Sequence, residues 1–196
     1  IVNNLNNDSI NKIISLIKDG DLDLAQNKIK SLLLEFPSSD ILLNLRGAVF
    51  LKKKEYEVAQ SSFSEALKIN PDFISAKINL GVVYQNLGKN EEALKCFKEI
   101  TKINNALPAV YNNMGFILYT QNKYSEAIKE LNKAIELKND YAEAFLNLGM
   151  VYLNLKEYEK AIKFFDQSLA YDKKLTSVYY YLGECYKNID DISKAL

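Results

Sequence analysis

The chain has 196 residues, 48% hydrophobic and 26% charged, with 25 Lys+Arg against 25 Asp+Glu and no formal net charge. That is an ordinary soluble composition. With no basic excess, and with Arg46 its sole arginine, nucleic acid is not the expected ligand. The absence of histidine removes the commonest general base and the commonest metal ligand.

No apolar run approaches the ~18 residues of a membrane span. Cys96 and Cys185 are too far apart in sequence to suggest a metal pair or a disulfide framework. They are compatible with a reducing, cytoplasmic setting. The chain begins at Ile1, without Met and without a signal-peptide pattern, so it is expected to be a piece of a longer protein.

In chain order, a small set of residues returns at a fixed interval. Leu80-Gly81-Val82-Val83-Tyr84 is echoed by Leu148-Gly149-Met150-Val151-Tyr152 and Leu182-Gly183-Glu184-Cys185-Tyr186, with looser copies at Arg46-Gly47 and Met114-Gly115. Gly47, Gly81, Gly115, Gly149 and Gly183 are each 34 residues apart. With that glycine as the eighth register position, the repeats span 6–39, 40–73, 74–107, 108–141 and 142–175, followed by an incomplete repeat, 176–196. Ala25, Ala59, Ala93, Ala127, Ala161 and Ala195 share the twentieth position; Ile29, Phe63, Phe97, Leu131 and Phe165 share the twenty-fourth. The first repeat is degenerate, with Ile13 where glycine belongs and Lys12 where leucine belongs.

Each repeat predicts two helices. In the third, Leu80, Val83, Tyr84 and Leu87 recur at helical spacing, as do Ala93, Leu94, Phe97, Ile100 and Ile103. Gly88-Lys89-Asn90 breaks the pair, and Asn70-Pro71-Asp72 and Lys138-Asn139-Asp140 separate successive repeats. The eighth position is expected to be small so that the two helices can approach, which has to offset the ~1 kcal/mol that Gly costs in a helix. Asn7-Asp8-Ser9 matches a glycosylation pattern but is expected to cap the first helix. Lys52-Lys53-Lys54 is expected at a helix C-terminus, and the acid pairs Glu91-Glu92 and Asp190-Asp191 at helix N-termini, where the helix dipole favours them.

No chemistry-bearing motif stands apart from this array. Gly81 and Gly88-Lys89 are spaced too widely for a phosphate loop, and Asn90 stands where Ser or Thr is needed. Without histidine, no ordinary base is available to activate a serine. The expectation is a chain without catalysis, cofactor or metal.

On these residues the chain resembles the tetratricopeptide repeat family, although Leu43, Lys77, Tyr111, Phe145 and Tyr179 stand where that family often has Trp. The resemblance implies an all-α fold, a right-handed superhelical solenoid of antiparallel helix pairs, whose first helices line a concave groove. In that groove it implies Asn44 and Asn112 at the fifth register position and Asn79, Asn113 and Asn147 at the sixth, with Asn86 and Asn154 at the thirteenth. An asparagine offers one acceptor and two donors and can pair with both sides of a peptide bond. Ala48, Val82, Phe116 and Met150 at the ninth position, and Leu51, Tyr119 and Leu153 at the twelfth, add apolar surface of the kind that marks interaction sites.

The expected function is a protein-interaction scaffold that takes a peptide or helix of a partner on Asn44, Asn79, Asn112, Asn113, Asn147, Phe116, Tyr119, Met150 and Leu153. The clamp for a C-terminal carboxylate that chaperone-type members carry is not expected, because Asn44, Ile78 and Asn112 hold its positions. Two alternatives remain open. One is the targeting arm of a larger enzyme such as a transferase or protease. The other is end-to-end self-association, because the first helix of the last repeat would leave Leu182, Tyr186 and Ile189 without a complete partner helix.

Overall fold

The computed structural model describes residues 5–189. Among them are eleven α-helices and no strand: α1 Asn7–Asp19, α2 Leu22–Glu35, α3 Asp40–Lys52, α4 Tyr56–Ile69, α5 Ile74–Asn86, α6 Asn90–Ile103, α7 Pro108–Thr120, α8 Tyr124–Leu137, α9 Ala142–Asn154, α10 Tyr158–Tyr171 and α11 Ser177–Asn188. The chain divides into two compact units, Ile1–Ile100 and Thr101–Leu196. The all-α class expected from the sequence is present in both. A second helix beginning near Asp191, and with it Asp190, Ile192 and Ala195, lies outside the described residues.

The first and second helices of a pair bury different amounts of surface. In the first unit α3 buries Leu42, Leu43, Leu45, Gly47 and Val49, residues spread around much of its circumference. Its partner α4 buries the stripe Ala59, Ser62, Phe63 and Ala66. In the second unit α9 buries seven residues, including Leu148, Gly149 and Val151, while α10 buries Ala161, Phe165 and Ser168. A helix with neighbours on several sides needs apolar residues all round, whereas one at the surface needs a stripe.

The eighth register position is small because the twenty-fourth fills its space. A Cβ added at Gly47 would lie 2.5 Å from the Phe63 ring, and one at Gly81 would lie 2.7 Å from Phe97. In the second unit a Cβ at Gly115 would lie 2.6 Å from Leu131, and one at Gly149 would collide with the Phe165 ring. Phe63, Phe97, Leu131 and Phe165 are all fully buried, so each ring or side chain has no vacant volume to move into.

The turn inside each hairpin is built by the backbone. Gly20, Lys54, Gly88, Asn122 and Lys156, one register position in five successive pairs, all have positive φ, between 59° and 89°. The next residue's N–H then closes back onto the first helix: Asp21 to Leu16 O at 2.9 Å, Glu55 to Phe50 O at 2.9 Å, Lys89 to Tyr84 O at 2.8 Å, Lys123 to Leu118 O at 2.9 Å and Glu157 to Tyr152 O at 2.9 Å. That left-handed residue with its long return bond is how a helix C-terminus satisfies its last carbonyls.

One sequence expectation needs correction here. The cap of α1 is Asn6, whose Oδ1 accepts the Asp8 N–H at 2.9 Å; Asn7, Asp8 and Ser9 lie in the first helical turn. The cap residue itself needs an extended backbone, which Asn6 has at φ −73° and ψ 129°. The three lysines lie at the C-terminus of α3 as expected, with separate roles. Lys52 sits in the last turn, Lys53 reaches across to Asp23 Oδ1 and Gln26 Oε1, both at 2.6 Å, and Lys54 is the left-handed turn residue.

Candidate functional site

The candidate asparagines lie on first helices, and the structure pairs them with one another. In the first unit Asn79 Nδ2 of α5 donates to Asn44 Oδ1 of α3 at 3.2 Å. In the second unit Asn147 Nδ2 of α9 donates to Asn112 Oδ1 of α7 at 2.8 Å. Each pair joins the fifth position of one repeat to the sixth of the next. The first pair is half-buried; in the second, Asn112 is 7% and Asn147 8% exposed. A paired amide keeps some capacity: Asn44 and Asn112 retain their N–H2 donors, and Asn79 and Asn147 their carbonyl acceptors. Asn113, the next residue on α7, is half-buried and stands outside the Asn112–Asn147 pair.

The asparagines of the thirteenth position have a more local role. Asn86 Nδ2 donates to Val82 O at 2.8 Å, Asn154 Nδ2 to Met150 O at 3.0 Å and Asn188 Nδ2 to Glu184 O at 2.7 Å. Each returns to the carbonyl one turn earlier on its own helix, a back-bond to a carbonyl that also serves the last helical turn.

Beside the Asn112–Asn147 pair, α7 and α9 present half-buried apolar side chains. The Phe116 and Tyr119 rings are 6.1 Å apart, and Tyr119 lies 6.3 Å from Tyr124 at the start of α8. Met150 and Leu153 pack on the cluster formed by Ala161, Phe165, Val178 and Cys185. Asn154 Nδ2 donates a second bond to the Tyr119 hydroxyl at 2.9 Å, tying α9 to α7. Burial pushes the Tyr119 hydroxyl above its ordinary range, the Asn154 bond pulls the other way, and Tyr181, Tyr124 and Glu184 add to the rise. The phenol is therefore neutral at physiological pH and serves as a hydrogen-bonding, apolar surface group.

The structure thus gathers Asn112, Asn113, Asn147, Phe116, Tyr119, Met150 and Leu153 on α7 and α9, and Asn44 and Asn79 on α3 and α5. Tyr124, whose ring lies against Tyr119, is not among the sequence candidates. Its signal in the sequence was the recurrence of tyrosine at its register position, Tyr56, Tyr124 and Tyr158. Among the described residues no group of three or more His, Cys, Asp or Glu side chains could hold a metal ion. Among the same residues no helix is long and apolar enough to cross a membrane.

Comparison with family models covers most of the chain. Models described as "Tetratricopeptide repeat" match residues 10–73, 50–112 and 142–175, and one described as "TPR repeat" matches 117–156. Among curated proteins, no sequence matches closely enough to count as a relative. Solved structures do match in fold. The pilF protein of Pseudomonas aeruginosa superposes with a TM-score of 0.82 at 18% identity, over 95% of this chain and 85% of that one. YrrB, described as a TPR protein with an unusual peptide-binding site, gives 0.66 at 22% identity over 88% and 89%. A MamA fragment from Desulfovibrio magneticus RS-1 gives 0.72 at 17% identity over 85% and 94%. Identities this low speak for the fold alone. The family matches along the chain, the helix pairs and the small-against-large contact at four of the five described hairpins agree: the chain belongs to the tetratricopeptide repeat family.

Proposed function

We propose that this protein-interaction scaffold takes a partner polypeptide on the α7–α9 face of its second unit. Phe116, Tyr119, Met150 and Leu153 supply apolar contact, and Asn112, Asn113 and Asn147 supply the peptide-directed hydrogen bonds. The observation that carries the reading is the half-buried apolar group lying next to amides that keep unused donors and acceptors. Apolar area buried by a ligand contributes about 25 cal/mol per Å2, and a few amides beside it set direction and register. YrrB, a protein of the same fold, is described as having an unusual peptide-binding site, which supports a peptide as the class of ligand. In the first unit Asn44 and Asn79 offer the same fifth-to-sixth amide pairing to a polypeptide.

The test is site-specific photocrosslinking. A benzoylphenylalanine placed at Phe116, close in shape to the native ring, is expected to capture a defined polypeptide from cells that make the protein. The control carries the same group at exposed Lys129 on α8. Equal labelling from the two positions would defeat the assignment.

A further inference from the structure

Arg46 breaks the register. Its position is held by Leu80, Met114 and Leu148 in the following repeats, 7%, 5% and 0% exposed. In the first unit the arginine borders a cavity of about 370 Å3 between α2, α3 and α4. That is the lower part of the size range of ligand pockets. The lining is apolar, with Ile29, Leu33, Leu34, Phe50 and Val58. It runs from the core to the surface, since Ile29 is 1% exposed while Val58 is 38% and Leu34 82% exposed.

The cavity's charges are of one sign. Arg46 and Lys30 line it together with neutral Gln26, and no carboxylate does. Arg46 Nε donates to Ser62 Oγ at 2.9 Å, and its Nη2 lies 3.5 Å from Glu65 Oε1, an oxygen that also accepts the Ser61 hydroxyl at 2.9 Å. A guanidinium has five N–H donors. This one is 30% exposed, with one long carboxylate contact and apolar walls beside it. A partly dehydrated cation in such a setting favours a carboxylate that it can bind in fork geometry.

We propose that this cavity is a second docking site, for an acidic amphipathic segment of a partner polypeptide. A leucine- or phenylalanine-sized side chain enters between α2 and α4, and an Asp or Glu beside it pairs with Arg46, with Lys30 contributing attraction at the rim. The exposed Leu34 and Val58 extend the apolar surface beyond the cavity, which a segment of chain covers and a small acid does not. This site lies on other helices than the α7–α9 face and stands or falls separately from it.

The probe is a fluorescein-labelled, acetylated and amidated peptide of about three helical turns, with Leu at i, i+3, i+4 and i+7 and Glu elsewhere. Titration with the full chain, followed by anisotropy, is expected to saturate. Arg46→Leu restores the residue type this register holds elsewhere, so it keeps the fold, and it is expected to weaken binding by about tenfold or more. Leu34→Glu is expected to do the same at an exposed position. Arg46→Lys keeps the charge without the fork and is expected to fall between, while Lys129→Ala, at an exposed position on α8 outside both faces, is expected to bind as the wild type does. The proposal is overturned if the wild type shows no saturable binding, or if Arg46→Leu and Leu34→Glu bind unchanged. It is also overturned if a Gln-for-Glu peptide, with an amidated or a free C-terminus, binds as tightly as the acidic one.

Discussion

At the eighth and twenty-fourth register positions α1 and α2 carry Ile13 and Ile29, whereas α9 and α10 carry Gly149 and Phe165. Ile13 and Ile29 are 0% and 1% exposed and share one core cluster. Phe165 is equally buried, with its ring where a Gly149 Cβ would stand. Two medium side chains in one hairpin do the work of none and a large one in the other. Combined volume is what the close-packed contact requires, and its division between the two helices is free.

The comparison can be broken most severely at the N-terminal pair. Ile13→Gly removes a fully buried side chain and adds the helix cost of glycine, so a loss of about 3–5 kcal/mol is expected in urea denaturation. Adding Ile29→Phe should return a sizeable part of it; no recovery would show that volume is not the shared quantity. The reverse change, Gly149→Ile, drives a side chain into the Phe165 ring and is expected to cost about 3 kcal/mol. Gly149→Ile combined with Phe165→Ile should be distinctly more stable than Gly149→Ile alone.

A third contrast is between the amide pairs. Asn112→Ala leaves the Asn147 amide buried without its acceptor, an expected loss of about 1–3 kcal/mol. Asn44→Ala leaves the half-buried Asn79 amide within reach of water and is expected to cost less than about 1 kcal/mol. Equal losses in the two variants would remove the distinction between them.

A gain of stability is expected at the turns. Lys54 and Lys156 hold φ of 62°, the conformation Gly88 holds at 72° without a Cβ. Lys156→Gly should stabilise by about 0.5–1 kcal/mol, the relief of left-handed strain less the entropy of glycine. Thermal denaturation of the variant beside the wild type measures it.

The smallest effect concerns the two thiols. Burial, with Glu184 nearby, pushes the Cys185 thiol up from 9.0 to about 11. A raised acid holds its proton longer in the folded than in the unfolded chain. Its contribution to stability is therefore complete below the unfolded value and is lost as pH climbs through about 11. Burial also raises the half-buried Cys96 thiol, with Glu99 adding to it. At about pH 8 iodoacetamide should modify Cys96 before Cys185, because the thiolate is the reacting form and Cys185 is also shielded. Mass spectrometry of the time course decides the order.

Much of the fold was legible in the residues because its causes are local or strictly periodic. The glycine at every 34th residue, the alanine and large apolar positions that accompany it, and breaks such as Asn70-Pro71-Asp72 marked the helix pairs. Helical spacing and turn chemistry act within one turn of the chain, so a single sequence displays them. The candidate asparagines were visible as a list for the same reason: they share register positions.

What those asparagines touch was a tertiary matter. Asn79 meets Asn44, and Asn147 meets Asn112, 35 residues away. That offset of one residue from the repeat depends on how neighbouring first helices cross, which no local pattern records. The left-handed turn at Lys54 and Lys156 was hidden too, because side-chain preference points away from it and hairpin packing imposes it. Arg46 was plain in the sequence as a lone arginine. Only the packing of α2, α3 and α4 set it beside an apolar cavity, since the volume left between helices depends on all three at once.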